Sequence, residues 1–331
     1  YFMTYSKFVP LVLPILLELF SHCPLKTSVG LATWNAHGAL GTGLLDDQAR
    51  LKLVGLKRLL TSNHVVGVQE TRGDWLECNA FARKWSHSHV CFFSPPIEPN
   101  CGGVGIFISR SFLIGCISCF PIVIARARIL LVYVIFHDCT YVFNCIHNSP
   151  DWSFRERASY YGQIKRCCMS PLHASAFIFG DLNFGFDTSR CVNGAWNSVV
   201  SPSHKAQSKV WDRYFADFTE LEQDNPTFMR GAYLSSLDHI LCNIIPAILT
   251  DMTCSCATPW TFGDHIGKAS DHVPVAARLG CDPGERVCTI PRWVPRHPHF
   301  TKHCIEMSNE TRFVRDDPFS TLLKHKDIII E

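Results

Sequence analysis

Phe177-Ile178-Phe179-Gly180-Asp181-Leu182-Asn183 is an apolar run that ends abruptly in a carboxylate and a carboxamide two residues apart. Such a run reads as a buried strand, with Gly180 marking where the chain leaves the sheet. Side chains alternate with period two along a strand, so the spacing predicts Asp181 and Asn183 on one side of the pleat. There, one side chain can take a proton from a water while the other holds an anionic oxygen, which is the equipment of a hydrolytic site. The same residues also read as a strand followed by an ordinary Asp/Asn turn. Similar interruptions elsewhere in the chain decide between the two.

Upstream, Gly30 to Asn35 reads as a strand, and Asp46 is placed to cap a helix with Ala49, Leu53, Leu56 and Leu60 at helical spacing. Val65 to Val68 is a short buried strand ending at Gln69-Glu70, and Trp75, Cys78, Phe81 and Trp85 outline a second helix. The middle is rich in β-branched and aromatic residues, with strands expected at Gly103 to Ile108, Ile129 to Phe136 and Tyr141 to Ile146. Ser153-x-x-Glu156 forms a capping box for a helix with Ala158, Tyr161, Ile164 and Cys168 inward. Trp211, Tyr214, Phe215, Phe218 and Leu221 mark another helix, followed by strands at Leu237 to Leu241 and Val273 to Leu279.

With 331 residues, 47% of them hydrophobic, the chain can bury the core of one large domain with extensions or of two small ones. A net charge of +2 provides no global basic field, so any nucleic-acid contact must come from a local face. Of the 17 cysteines, Cys91, Cys116, Cys119, Cys145 and Cys242 lie within apolar runs and read as reduced core residues, as in an intracellular protein. Cys116-x-x-Cys119 and Cys254-x-Cys256 lack a second pair at zinc-finger spacing, and the downstream Cys and His residues are irregular, which disfavours zinc. The apolar stretch Phe8 to Phe20 contains Pro10, Pro14 and Glu18 and falls short of the ~20 residues of a membrane span. With Lys7 ahead of it, that stretch has some likeness to a secretory signal, but the chain opens on Tyr1, as if cut from something longer. Past Gly280, Pro283, Pro291, Pro295 and Pro298 together with Arg286, Arg292, Arg296 and Lys302 mark a boundary. The expected organisation is an extension at 1–28, a domain at 29–280 and a Pro-rich basic linker with a C-terminal extension at 281–331.

Each expected strand end delivers polar side chains that a core would not choose. They are Asn35, then Gln69-Glu70, His147-Asn148, Asp181 with Asn183, Asp238-His239 and Asp271-His272. The ordered series Thr33-Trp34-Asn35, Gln69-Glu70-Thr71, Gly102-Gly103-Val104, Gly180-Asp181-Leu182-Asn183, Leu237-Asp238-His239 and Ser270-Asp271-His272-x-Pro274 resembles the endonuclease/exonuclease/phosphatase superfamily. The resemblance runs from about Val29 to Leu279. It implies an α/β fold of the DNase I-like kind: a four-layer αββα sandwich of two mixed sheets, with helices outside and the site along one rim.

The implied chemistry is phosphodiester hydrolysis with a divalent cation, Mg²⁺ or else Mn²⁺. Glu70 is the first choice as cation ligand, with Asn35 beside it and Asp271 contributing, since hard cations prefer carboxylate oxygen. The resemblance makes Asp181 the base, Asn183 and Asn148 phosphate-positioning groups, His272 the phosphate-binding histidine and Asp238 its partner. Abasic-site endonucleases of the superfamily carry a tyrosine where this chain has His147, which still has a donor to offer phosphate. That departure argues against a repair enzyme with strict abasic-site choice.

The opening on Tyr1, the continuation past Asp271-His272 and the Pro/Arg-rich tail from Ile290 to Pro298 all resemble the endonuclease segment of a non-LTR (LINE-like) retroelement polyprotein. The resemblance implies that the chain nicks target DNA to expose a 3′-hydroxyl for reverse transcription. Its partners would be duplex DNA, the element's RNA and a reverse transcriptase domain, and its place of action the nucleus. The alternatives are a secreted or membrane-associated phosphodiesterase, DNase or sphingomyelinase-like hydrolase of the same fold, and a catalytically silent binding module.

Overall fold

A computed structural model describes residues 28–40, 47–98, 101–169, 174–186, 202–223, 225–244, 249 and 253–280. The Asp46 cap, the apolar N-terminal stretch and the Pro/Arg-rich tail lie outside the described residues. Apart from Leu249, all described residues belong to one compact unit, Cys23–Pro246 with Met252–Asp282.

The first half of the chain builds β1 (Val29–Asn35), α1 (Asp47–Ser62), β2 (Val65–Gln69), α2 (Trp75–Trp85), β3 (His89–Ser94) and β4 (Val104–Ser109). Then come β5 (Ser118–Ala125), β6 (Ile129–Ile135), β7 (Thr140–His147), α3 (Phe154–Met169), β8 (Ser175–Asp181) and α4 (Pro202–Phe215). The last strands are β9 (Thr219–Glu220), β10 (Phe228–Arg230), β11 (Tyr233–Ser235), β12 (Asp238–Cys242), β13 (Thr253–Ala257) and β14 (Val275–Gly280). One six-stranded sheet has the order β13-β14-β1-β2-β4-β3, the other β5-β6-β7-β8-β12-β9, and β10-β11 forms a small separate hairpin.

Both sheets are mixed. β1 and β2 run parallel and are joined through α1, while β7 and β8 run parallel and are joined through α3. Parallel neighbours require such helical crossovers. Registers pair Asn35 with Gln69 and His147 with Asp181, so each crossover delivers two polar residues side by side at a strand end.

The helices cover the outer faces. Leu56, Leu60 and Phe81 from α1 and α2 join Trp34, Val66 and Phe107 of the first sheet in one core. Tyr161, Ile164, Trp211 and Phe215 from α3 and α4 join Ile129, Leu131 and Ile178 of the second sheet in another. Burying a side chain of that size contributes about 1.5–3 kcal/mol. The inner faces meet through links such as Gln69 Nε2 to Cys145 Sγ at 2.9 Å. The architecture is thus the expected αββα sandwich of two mixed sheets.

Several local expectations needed correction. Gly180 does not end its strand: it pairs with both Ile146 and His239 inside β8. Its φ is +143°, and a Cβ there would sit 1.9 Å from the Ile146 carbonyl oxygen, so no other residue fits. Trp75 is 58% exposed rather than inward. It opens α2 just after Asp74, whose side chain forms a capping box with Glu77 that the sequence reading overlooked. α4 stops at Phe215, and the buried Phe218 and Leu221 follow it in irregular chain and a turn. Strands β3 and β5 were not anticipated. β5 is an edge strand with Pro121 and several exposed apolar residues, so it lacks the clean alternation of a half-buried strand.

Cys145 and Cys242 are buried and free, whereas Cys91, Cys116 and Cys119 are only half-buried. Burial pushes the Cys145 and Cys242 thiols up to about 12, leaving them inert.

His89, buried on β3, lies between the Leu60 carbonyl (Nε2, 3.1 Å) and the Ser88 hydroxyl (Nδ1, 2.9 Å), an arrangement that a neutral ring satisfies. Burial lowers its pKa from 6.5. A histidine lowered on folding contributes stability that is complete above its unfolded pKa and declines as pH falls below it. Thermal midpoints measured at about pH 7.5 and about pH 5.5 should therefore fall less for His89→Gln than for the parent.

Candidate active site

The two crossover units end at the same rim. Asn35 closes β1, and Glu70 follows β2 with a left-handed φ of 50°. That turn sits on the Gly102-Gly103 pair: Thr71 N–H donates to the Gly103 carbonyl (3.1 Å) and Arg72 N–H to the Gly102 carbonyl (3.0 Å). Gly103 has φ +89°, and a Cβ on it would lie 2.3 Å from Thr71 Oγ1. The glycine motif is therefore the seat of the Glu70–Arg72 turn.

On the second sheet, Asp181 ends β8 directly opposite Asp238, which begins β12. His272, in the loop before β14, donates from Nδ1 to Asp238 Oδ2 at 2.7 Å, and its Nε2 lies 3.9 Å from Asp181 Oδ2. The Trp34 indole N–H donates to the His272 carbonyl (3.0 Å), and the Phe228 ring packs 4.8 Å from the imidazole. Asn35 ties the two sheets together, its Nδ2 donating to Asp181 Oδ2 at 2.9 Å and to Glu70 Oε1 at 3.4 Å.

These contacts separate the protonation states. Burial pushes Asp181 up to about 7, helped by Asp238 and opposed by His272 and the bonds from Asn35 and Asn183. The buried His272 would be lowered by desolvation, but Asp238 and then Asp181 raise it to about 9, so the ring is an imidazolium. Burial also acts upward on Glu70, yet His147, Arg72 and His37 hold it near about 2. His147 itself is depressed to about 3 by burial and by Arg128. Since a neutral ring carries no charge, Arg72 is the cation that stabilises Glu70 at neutral pH, with Nη2 at 2.5 Å from Oε2. A carboxyl poised near neutrality beside a fixed cation is the pairing that proton abstraction requires.

Asn183 departs from the expected pleat. Its φ is 55°, its N–H donates to Asp181 Oδ1 (2.8 Å) and its amide donates to the Asn148 carbonyl (2.6 Å). It sits in a turn folded back onto Asp181, where period-two alternation no longer applies. Asn148 is wholly buried, with Nδ2 donating to Tyr161 Oη (2.7 Å) and the Leu182 carbonyl (2.9 Å). Its side chain points into the fold, fixing the loop rather than facing the rim. His147 is also buried, with Arg128 Nη1 at 2.9 Å from Nδ1 and Glu70 Oε1 at 3.6 Å from Nε2. Asp271 lies nearer the surface, 40% exposed, and His37 Nδ1 stands between it (3.6 Å) and Glu70 (3.5 Å). His239 packs internally between Glu220 and the Phe184 carbonyl.

The endonuclease/exonuclease/phosphatase family profile matches residues 32–272, most of the chain and every residue of this rim. The chain belongs to that family. No curated protein matches it in sequence. Among solved structures, a D. rerio TDP2 humanized by 14 mutations is similar with TM-score 0.52 and 16% identity, over 76% of this chain and 99% of that one. D. rerio TDP2 complexed with single strand DNA product gives TM-score 0.51 and 17% identity over 76% and 99%. The endonuclease domain of TRAS1, a telomere-specific non-LTR retrotransposon, gives TM-score 0.52 and 13% identity over 76% and 98%. At these identities the structures speak for the fold.

For an endonuclease/exonuclease/phosphatase member, the rim holds three residues that the sequence reading did not single out. Arg72 and His37 each lie two positions beyond an expected ligand, and Arg128 in the β5–β6 turn reaches His147. Read along the chain, an Arg or His in a turn is indistinguishable from ordinary surface charge. The two-residue spacing of His37 from Asn35 and of Arg72 from Glu70 was the available signal.

Enzymes of this family typically use divalent cations, and the donor chemistry here fits a hard ion. Among the described residues no three His, Cys, Asp or Glu side chains converge as a ready-made metal cluster. Mg²⁺, however, needs only one or two carboxylates and completes its shell with water and phosphate. Glu70 remains ionised and borders the rim, and Asp271 is open to solvent. Asn35 spends its NH₂ group on the two carboxylates, and its Oδ1 accepts the His37 N–H at 3.2 Å.

Proposed function

We propose that this chain is a divalent-cation-dependent DNA endonuclease that nicks a target duplex, the endonuclease domain (29–280) of a non-LTR retroelement. The observation that carries the chemistry is the Asp181–His272–Asp238 arrangement, a near-neutral carboxyl set against a carboxylate-paired imidazolium. Asp181 accepts the proton of the attacking water, and the Asn183 N–H and Asn35 amide fix the two carboxylate oxygens so that only one geometry is offered. His272 faces the phosphoryl oxygens on which charge accumulates, and Asp238 keeps it protonated and oriented. The new P–O bond forms to water as the bond to the 3′-oxygen breaks, and the departing 3′-oxygen takes a proton from solvent to become the 3′-hydroxyl. Glu70, with Asn35 and Asp271, would hold the cation, which supplies Lewis-acid stabilisation of the phosphate.

The retroelement reading is supported by the similarity to the TRAS1 endonuclease domain, and DNA as the substrate class by the DNA-bound relative. We place its action in the nucleus, where such a target is found. Among the described residues no helix is long and apolar enough to cross a membrane. Purified protein with Mg²⁺ should convert supercoiled plasmid to open circle, and EDTA should stop the conversion. Release of mononucleotides without an open-circle intermediate, or nicking that persists in EDTA, would overturn this reading.

A further inference from the structure

One cleft among the described residues lies away from the rim. About 910 Å³ in volume, it opens between the C-terminal parts of α1 and α2 on the outer side of the first sheet. It is walled by Asn63 and His64, which precede β2; the His64 ring takes the N–H of Gly30 at the start of β1 (3.1 Å). Asn35 and Glu70 occupy the opposite ends of those strands. At ~3.3 Å per residue, the seven residues of β1 put about 20 Å between cleft and site.

Two features give this cleft a chemistry. Lys57, Lys84 and Arg278 all line it and are all exposed, whereas no carboxylate among the described residues lines it. Three cations around one opening are a strong local field in a chain of net charge +2. Beside them runs a ladder of rings. Phe81 stacks on Trp85 (6.1 Å, 27°), and Trp85 stacks on His87 (6.4 Å, 16°), with Phe81 buried, Trp85 half-buried and His87 exposed. The outermost ring, His87, thus brings the ladder to the surface.

We propose that this cleft binds a single-stranded segment of nucleic acid, its phosphates on Lys57, Lys84 and Arg278 and a base on the Trp85–His87 stack. Cations tracking a backbone next to an aromatic platform is the recurring design for unpaired strands. A duplex has no unstacked base to offer such a ladder. The separation from the rim means that the strand held here is not the stretch being cut there. The site stands whether or not the rim is a nuclease.

The test uses the full chain carrying Asp181→Asn and fluorescein-labelled oligo(U) and oligo(dT) of about ten nucleotides, read by fluorescence anisotropy. Three single-strand phosphate contacts predict a slope of log affinity against log salt of roughly −2. Lys57→Glu/Lys84→Glu/Arg278→Glu should remove that slope and cut affinity at least about tenfold. Oligo(U) carrying 4-thiouridine should crosslink to Trp85 or His87. Preference between the two oligomers assigns RNA or DNA as the natural strand. Unchanged affinity and slope in the triple variant, crosslinks confined to the rim, or equal binding of heparin, a polyanion with no aromatic bases, would overturn the proposal.

Discussion

Asp181→Asn should lower the single-turnover rate of plasmid nicking by about a thousandfold while leaving plasmid binding intact. The substitution preserves volume but removes the proton acceptor. It also creates a local conflict, because the carboxylate accepts from Asn183 N–H on one oxygen and from Asn35 Nδ2 on the other. An amide oxygen can serve only one of these donors, so its NH₂ group must face the other at a cost of about 1–3 kcal/mol. Asp181→Ala, which avoids the donor clash, separates lost chemistry from lost geometry. If both variants nick within tenfold of the parent, Asp181 is not the base.

The second large effect is expected at Asp238. Asp238→Asn keeps an acceptor for His272 Nδ1–H at the present 2.7 Å but removes the charge that holds the ring protonated. Nicking should fall about a hundredfold, the usual loss when one preorganised stabiliser of transition-state charge is removed. Asp238 acts through the histidine, so the decisive measurement is a double-mutant cycle with His272→Gln. Residues that act as a unit are strongly non-additive. The double variant should be scarcely slower than His272→Gln alone. Fully multiplicative losses would show that Asp238 contributes by some other route.

Much of this arrangement was legible along the chain because sheet periodicity makes a strand's end conspicuous. Asn35, Glu70 and Asp181 each stand at the end of a largely apolar run, and it was their repetition along the chain that set them apart from ordinary turns. The capping box at Ser153 and Glu156 was readable too, and both reciprocal bonds are present (2.8 and 3.2 Å). What was not legible depends on backbone conformation or on partners remote in sequence. Asn183 occupies a left-handed turn, so a rule for pleated chain misplaced its side chain. Asn148 looked like a rim residue but turns inward, because Tyr161 on α3 offers it a hydroxyl 13 positions away. Arg128 becomes meaningful only where the register of β6 and β7 lays the β5–β6 turn beside His147, whose N–H donates to the Arg128 carbonyl (2.8 Å). β5 was missed because an edge strand with one open side need not alternate.

β14 is the last strand described, yet it is inserted between β13 and β1, in the interior of the first sheet. Until it emerges, β1 has an open edge, the Trp34 indole lacks the carbonyl it binds 238 residues later, and His272 is absent from the rim. A growing chain that has passed Asp181 but not β14 therefore carries Asn35, Glu70 and Asp181 without the imidazole that faces them. Completion of the sheet and completion of the rim are therefore a single event, because the loop that carries His272 leads directly into β14.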